Sequence, residues 1–213
     1  VQSLLPDETD LARRTTLHTM LAQITRISTT LKDLVNFARP SPSQRNRFDL
    51  NELVRETLRL VAYNSRFQGI GFEPQLAADL RFAFADVNEI QQVLINLIFN
   101  AADASQHRGG TIRIVTENHA GRDSGGQIKK VLMRVADNGI GIPPEHLSRV
   151  FDPFFTTKPA GAGVGLGLSL CQRIILANLG TIRIDSEIGK GTAVTICLPT
   201  FESETAAADA SPS

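Results

Sequence analysis

The chain has only two cysteines, no surplus of either charge and no long apolar run, and each shortage removes a class of function. Cys171 and Cys197 have neither metal-ligand spacing nor the density of a disulfide framework, which excludes a small secreted scaffold and fits a reducing, cytoplasmic setting. Twenty-two basic residues balance twenty-two acidic ones. A broad electrostatic footprint for nucleic acid or anionic lipid is therefore not expected. No segment reaches the roughly 18 apolar residues that a bilayer crossing needs, and no signal-peptide pattern is present. What remains is ordinary: 213 residues, 42% hydrophobic and 21% charged. At about 150 residues per domain, that supports one core plus an appendage.

The appendage comes first. From Leu11 to Arg39 the residues Leu17, Leu21, Ile24, Leu31, Val35 and Ala38 fall on a three-four spacing broken only by Ser28, with Met20, Ile27 and Leu34 widening the stripe. Such a long amphipathic helix suits a coiled coil or four-helix bundle better than the surface of its own domain. Pro40 to Gln44 cannot continue it and reads as a hinge. An α/β region follows. A helix is expected over Asn51–Ala62 and strands over Gly71–Leu76 and Arg81–Ala85. Asp86 is placed to cap a strong helix running to Ser105. Two further strands, Thr111–Glu117 and Lys130–Ala136, flank a polar segment, Asn118–Lys129, that reads as a loop. A helix over Leu168–Leu179 and a hairpin pairing Thr181–Ser186 with Thr192–Leu198 complete the region. The Ala/Ser/Glu-rich end, Glu202–Ser213, is expected to be disordered.

Three features carry chemistry. On the Asp86–Ser105 helix, Glu89, Gln92, Asn96, Asn100 and Asp103 form one narrow polar seam between Ile90, Val93, Leu94, Leu97, Ile98 and Ala101. A seam inside a mostly apolar helix suggests that it lines a pocket, where asparagine amide oxygens can meet a hard cation without adding charge. By itself it also fits a purely structural role. Next, a strand runs into Asp137, followed by Asn138, Gly139, Ile140, Gly141 and Ile142. The glycines allow a sharp turn, and the carboxylate is placed to accept from a ligand amino group or merely to cap the loop. Third, Phe151-Asp-Pro-Phe-Phe-Thr-Thr-Lys158 leads through Gly161, Gly163, Gly165 and Gly167 into a helix. Free amides and the dipole at that helix start suit phosphate, Lys158 adds a mobile positive charge, and exposed Phe154 and Phe155 suggest a lid. The loop matches neither a P-loop nor a Rossmann fingerprint.

Taken in order, these pieces resemble the catalytic and ATP-binding domain of two-component sensor histidine kinases, in the GHKL superfamily. The asparagine box resembles Gln91–Ala104, the first glycine box Asp137–Gly141, the phenylalanine box Phe151–Lys158 and the second glycine box Gly163–Leu168, with Gly189-Lys-Gly-Thr192 closing the set. The resemblance implies a two-layer α/β sandwich of Bergerat type, helices over one mixed sheet, preceded by one long helix of a helical bundle. It implies residues 1–40 as the second helix of a dimerisation bundle, 41–47 as hinge, 48–200 as the ATP-binding domain and 201–213 as a tail. The ATP-binding residues it implies are Asn96, Asn100, Asp103, Asp137, Gly139, Gly141, Ile142, Thr157, Lys158, Gly163, Val164, Gly165, Leu166, Gly167 and Thr192. Asn100 would ligand Mg²⁺, Asp137 would accept from the adenine amino group with Thr192 nearby, and Lys158 and the Gly163–Gly167 amides would hold phosphates.

Two departures shape the functional expectation. The superfamily's ATP hydrolases carry a glutamate base one turn before the metal asparagine. Asn96 stands there instead, and its amide cannot take a proton at neutral pH. Phosphoryl transfer is thus favoured over hydrolysis. The family's phosphoacceptor box is also missing: Leu17–Ala22 does not match it, and Leu21–Pro40 resembles the end of the second bundle helix, so His18 is on the wrong helix. His107, His119 and His146 are expected in loops or at a helix start. The resemblance therefore implies a protein-histidine kinase fragment with no catalytic histidine of its own and no self-phosphorylation. Its partners would be the phosphoacceptor helix of a kinase of the same family and a response regulator. The intact protein would be a homodimer through the N-terminal helix, with this part in the cytoplasm. A nucleotide-binding interaction module and a GHKL-type serine kinase are the alternatives.

Overall fold

Asp49 starts the first helix of the folded region. Its carboxylate accepts from the backbone N–H of Asn51 at 2.8 Å and of Glu52 at 3.2 Å, satisfying two of the donors a helix start leaves open. This helix, α1 (Leu50–Ala62), buries Leu50, Leu53, Val54, Thr57 and Val61 and turns Glu52, Arg55 and Arg59 to solvent. The computed structural model describes residues 15–17, 20, 44–62, 64–105, 109–123, 126–158 and 164–201. Of the long N-terminal helix expected at 11–39, residues 15–17 and 20 are helical. The rest of it, residues 41–43 of the expected hinge and the 202–213 tail lie outside the described residues.

A short strand β1 (Asn46–Phe48) pairs antiparallel with β3 (Ala83–Ala85). The main sheet has five strands in the order β2 (Gly71–Leu76), β4 (Thr111–Asp123), β5 (Gly126–Asp137), β7 (Gly191–Pro199) and β6 (Thr181–Glu187). Only β2 with β4 is parallel, so the sheet is mixed. Residues alternate across it. Ile112 and Ile114, Val131, Met133 and Val135, and Val194, Ile196 and Leu198 point to one covered face. The long helix α2 (Val87–Ser105) lies across β4, β5 and β7, flanked by α1 and by α4 (Gly167–Ala177). A single turn, α3 (Pro144–Leu147), sits near β6. Ile90, Leu94 and Ile98 of α2 are wholly buried, each stabilising by about 1.5–3 kcal/mol relative to exposure. Helices over one face of a mixed sheet is the expected layered α/β sandwich. No helix among the described residues is long and apolar enough to cross a membrane.

Three local expectations change. Asn118–Lys129 is not a loop: β4 and β5 continue as a two-stranded ribbon through the pair Asp123↔Gly126. The segment runs past the end of β7, whose pairing with β5 stops at Lys130↔Pro199, and backbone bonds between the two strands satisfy its amides without any apolar alternation. His119 accordingly lies in β4, opposite Lys130. The strand expected over Arg81–Ala85 is shorter, Ala83–Ala85. Its partner β1 falls where a hinge was expected to end. His107 is outside the described residues.

Candidate functional site

The polar seam of α2 divides in two. Toward its start, the Glu89 carboxylate accepts from Asn178 Nδ2 at 2.7 Å, and Asn96 hydrogen-bonds the buried Cys171 thiol on α4. Burial pushes that thiol up to about 12, with Asn96 opposing the shift. These contacts fasten α2 to α4. The helix itself is anchored by Asp86, whose Oδ1 accepts from the N–H groups of Asn88 and Glu89, while Asn178 Oδ1 receives the Asp86 N–H at 2.8 Å. The whole seam is half-buried, and its C-terminal half meets the start of α4. Asn100 is half-buried, and its Nδ2 would be 3.7 Å from a Cβ placed on Gly167, the first residue of α4. The metal-type amide and the helix start expected to hold phosphate are therefore side by side. Leu166 occupies the N-cap of α4 and provides no side-chain cap, which leaves early amides of that helix for another acceptor.

One turn beyond Asn100, Asp103 is doubly paired. Lys158 Nζ donates to its carboxylate, and Arg66 from the 3-10 turn Ser65–Phe67 lies at 3.0 Å. Lys158 was expected on phosphate from its residue type; here its partner is a protein carboxylate. Thr157, just before it, is exposed. Gly163 lies outside the described residues, and Val164, Gly165 and Leu166 form the stem that enters α4. Gly165 has φ +73°, and a Cβ there would stand 2.5 Å from the Phe154 carbonyl carbon, so the glycine lets the two boxes touch. The Phe154 N–H donates to the Gly165 carbonyl at 2.9 Å. Phe154 is exposed, as expected, but Phe155 is not. It packs against the His146 ring at 5.5 Å and under the Arg149 guanidinium at 4.6 Å, because α3 supplies a platform no local pattern announced.

At the other end, Asp137 closes β5. Its Oδ1 accepts from Gly139 N at 2.8 Å and Thr192 N at 3.3 Å. Burial raises its pKa, and those two N–H groups oppose the rise. The bonds engage Oδ1, which leaves Oδ2 to accept from a ligand. Ser186, which the sequence reading did not single out, ties this corner together. Its hydroxyl accepts from Ile142 N at 2.8 Å, donates to the Gly191 carbonyl at 2.9 Å and lies 2.8 Å from the Thr192 hydroxyl. The intervening turn is pinned on both sides: Ile140 N donates to Ala104 O of α2, and Gly189 N to Ile140 O. Added side chains would collide. A Cβ on Gly139 would come 2.5 Å from the Ala104 carbonyl oxygen, one on Gly141 would strike Glu187 O, and one on Gly191 would strike Asp137 O.

A hollow of about 390 Å³ also opens near Asp137. Asp137, Ser186, Gly191 and Thr192 of that corner line it together with Lys190 and with Arg134, Ala136, Asp185, Glu187 and Ala193, and the last five alternate with the core-facing residues of their strands, so it opens toward the sheet face turned away from the helices. It contains none of Asn100, Asp103 or Lys158. The convergence on the helical face, where three separated sequence boxes meet, is the stronger candidate.

Residues 85–202 match the model of the histidine kinase-, DNA gyrase B- and HSP90-like ATPase family. The chain belongs to that family. Among curated proteins it is 39% identical over 199 residues to the signal transduction histidine-protein kinase AtoS of Escherichia coli K12, covering 93% of this chain but 31% of AtoS. The chain thus spans about a third of that relative's length. The solved catalytic domain of histidine kinase ThkA is 34% identical with a TM-score of 0.61, covering 74% of this chain and 96% of that one. A longer ThkA chain in complex with response regulator protein TrrA is 27% identical with a TM-score of 0.69, covering 91% and 53%. Full-length ShkA in complex with AMPPNP is 25% identical with a TM-score of 0.70, covering 92% and 41%. Within this ATPase family frame, Ser186 and Arg66 are the site neighbours that the boxes did not reveal. Arg66 lies outside the matched span altogether.

Proposed function

We propose that this chain is the ATP-binding catalytic part of a sensor histidine kinase, which transfers the γ-phosphoryl group of ATP to a histidine on a bundle helix outside this chain. The carrying observation is the placement of Asn100 against the start of α4 while Asp137, on the helix-covered face of the sheet and followed by a turn bonded to Ala104 of α2, keeps one carboxylate oxygen for an amino donor. The nucleotide-bound state of ShkA supports an adenine nucleotide as the ligand. Asp137 Oδ2 accepts from the adenine amino group. Ser186 and Thr192 fix that corner, and the early amides of α4, with Val164–Gly167, cradle the phosphates. Asn100 would hold Mg²⁺, which would neutralise phosphate charge; an uncharged amide on a half-buried helix face fits a hard cation whose charge the phosphates balance.

In the transfer, the bond from the γ-phosphorus to its bridging oxygen breaks as a bond to the histidine nitrogen forms, leaving ADP. The protein contributes positioning and charge neutralisation. Asn96 supports transfer over hydrolysis, since it is amidic and bonded to Cys171, and so gives water no base. In this reading residues 48–200 are the ATP-binding domain, 1–40 belong to the dimerisation bundle of a homodimer and 41–47 are the hinge. This part acts in the cytoplasm, and a response-regulator aspartate receives the phosphoryl group next, as the ThkA–TrrA complex supports.

The test is calorimetric titration of Mg·ATP into the chain and into Asp137→Ala, followed by incubation with γ-labelled ATP and a separately supplied phosphoacceptor bundle. Binding that Asp137→Ala abolishes, with acid-labile label on the acceptor histidine, supports the proposal. Acid-stable label would move the assignment to serine, and absence of nucleotide binding would favour an interaction module.

A further inference from the structure

Asp103 holds more positive charge than one carboxylate needs. Its side chain is 17% exposed and faces two cations, the Lys158 ammonium and the Arg66 guanidinium at 3.0 Å. The two are held very differently. Arg66 belongs to a turn fixed from several sides. Its N–H donates to Asn64 Oδ1 at 3.0 Å, its guanidinium lies 5.3 Å from the Phe99 ring centre, and the next residue, Phe67, is buried against Phe99. Lys158 stands at the end of the phenylalanine box, and among the described residues its one hydrogen bond apart from Asp103 is from its own N–H to Thr156 Oγ1 at 3.2 Å. Stripping a largely buried carboxylate of all its partners is strongly unfavourable, whereas removing one of two is not when a fixed guanidinium remains.

We infer that Asp103 and Arg66 form an exchange post for Lys158. The lysine rests on Asp103 when no phosphate is present, and it can move to phosphate at little cost because Arg66 continues to neutralise the carboxylate. Arg66 is thus a positioning residue for the nucleotide phosphates. It acts through Asp103 and Lys158 and touches no ligand, and it lies outside the residues 85–202 that define the family. This inference rests on the nucleotide-site reading above. Its consequence is specific to the phosphate chain. With Arg66 gone, Lys158 is the remaining counter-ion of Asp103 among the described residues and is held there. Adenosine, which has no phosphate, is indifferent to where the lysine sits.

The experiment compares Mg·ATP and adenosine binding by calorimetry to the full chain, Arg66→Gln, Asp103→Asn and the double variant. Arg66→Gln is expected to weaken Mg·ATP roughly threefold to tenfold, the range of one partly exposed ion pair, and to leave adenosine unchanged. In the Asp103→Asn background, Arg66→Gln is expected to cause no further loss of Mg·ATP affinity, since nothing then retains the lysine. Equal loss for both ligands would make Arg66 merely structural, and a loss that persists in the Asp103→Asn background would mean direct contact with phosphate. An unchanged Mg·ATP affinity in Arg66→Gln, with the parent binding normally, would remove the exchange post alone. A parent that binds neither ligand would remove the nucleotide site and this inference together.

Discussion

The two ends of the candidate site are built by different means. Around Asp137 almost every restraint is a backbone group: the amides of Gly139, Ile142 and Thr192, the carbonyls of Ala104 and Gly191, and three glycines whose missing side chains let loop and hairpin meet. Around Asn100 the restraints are side-chain ion pairs, Lys158 and Arg66 on Asp103, beside a helix start without a side-chain cap. Backbone restraints cannot be exchanged without moving strands; ion pairs can trade one anion for another. In the proposed reading, the rigid end recognises an unchanging ring, and the end held by replaceable partners releases a phosphoryl group.

That contrast can be broken most severely with a methyl group. Gly191→Ala puts a Cβ into the Asp137 carbonyl at φ +109°, and the expected cost is about 3 kcal/mol or more of unfolding free energy, read by chemical denaturation. Gly189→Ala, two residues away at φ +79° with open space around it, should cost only about 1–2 kcal/mol. Equal losses would mean that close packing at Asp137 is not what Gly191 provides. Next in size, Asp137→Ala should weaken Mg·ATP about 100-fold, close to 3 kcal/mol, in calorimetric titration. A loss under threefold would separate Asp137 from the adenine. At the exchangeable end the effect should be smaller. Lys158→Ala is expected to cost about tenfold in Mg·ATP affinity, to flatten its salt dependence and to leave the melting temperature within a degree or two. A large fall in melting temperature would mean the Lys158–Asp103 pair is structural.

The same division governs what could be read in advance. Asp86 as a cap, the buried face of α2 and the hairpin around Gly189 were legible because each is decided within a few residues, by periodicity or turn chemistry. The parts that were not legible depend on distant partners. Arg66 reaches Asp103 across 37 residues and Lys158 across 55, so residue type alone assigned the lysine to phosphate. Ser186 looked like one more polar residue of an alternating strand; its role exists only because Ile142 and Thr192 arrive beside it. The β4–β5 ribbon was mistaken for a loop because polarity signals solvent, and a ribbon extending past the end of β7 is solvated too. Phe155 was read as exposed because the α3 surface that covers it carries no pattern beyond Pro143-Pro144.

The smallest expected effect follows from the charge at the rigid end. Burial raises the Asp137 pKa above its ordinary value of 3.8, so the folded chain holds that proton more tightly than the unfolded chain does. Stability contributed by protonated Asp137 is therefore present at low pH and is lost as pH rises from about 3.8 through the raised value. At neutral pH the carboxylate is a modest burden on the fold. Asp137→Asn keeps an oxygen for the Gly139 and Thr192 amides and removes the charge, so it should raise the melting temperature at pH 7 by on the order of 1–2 °C. The gain should disappear when the measurement is repeated near pH 4. Nucleotide affinity of the parent should move the opposite way, falling as acid protonates the acceptor. A variant that melts lower at pH 7, or a gain that persists in acid, would mean that the two backbone bonds outweigh desolvation and that the carboxylate stabilises its own corner.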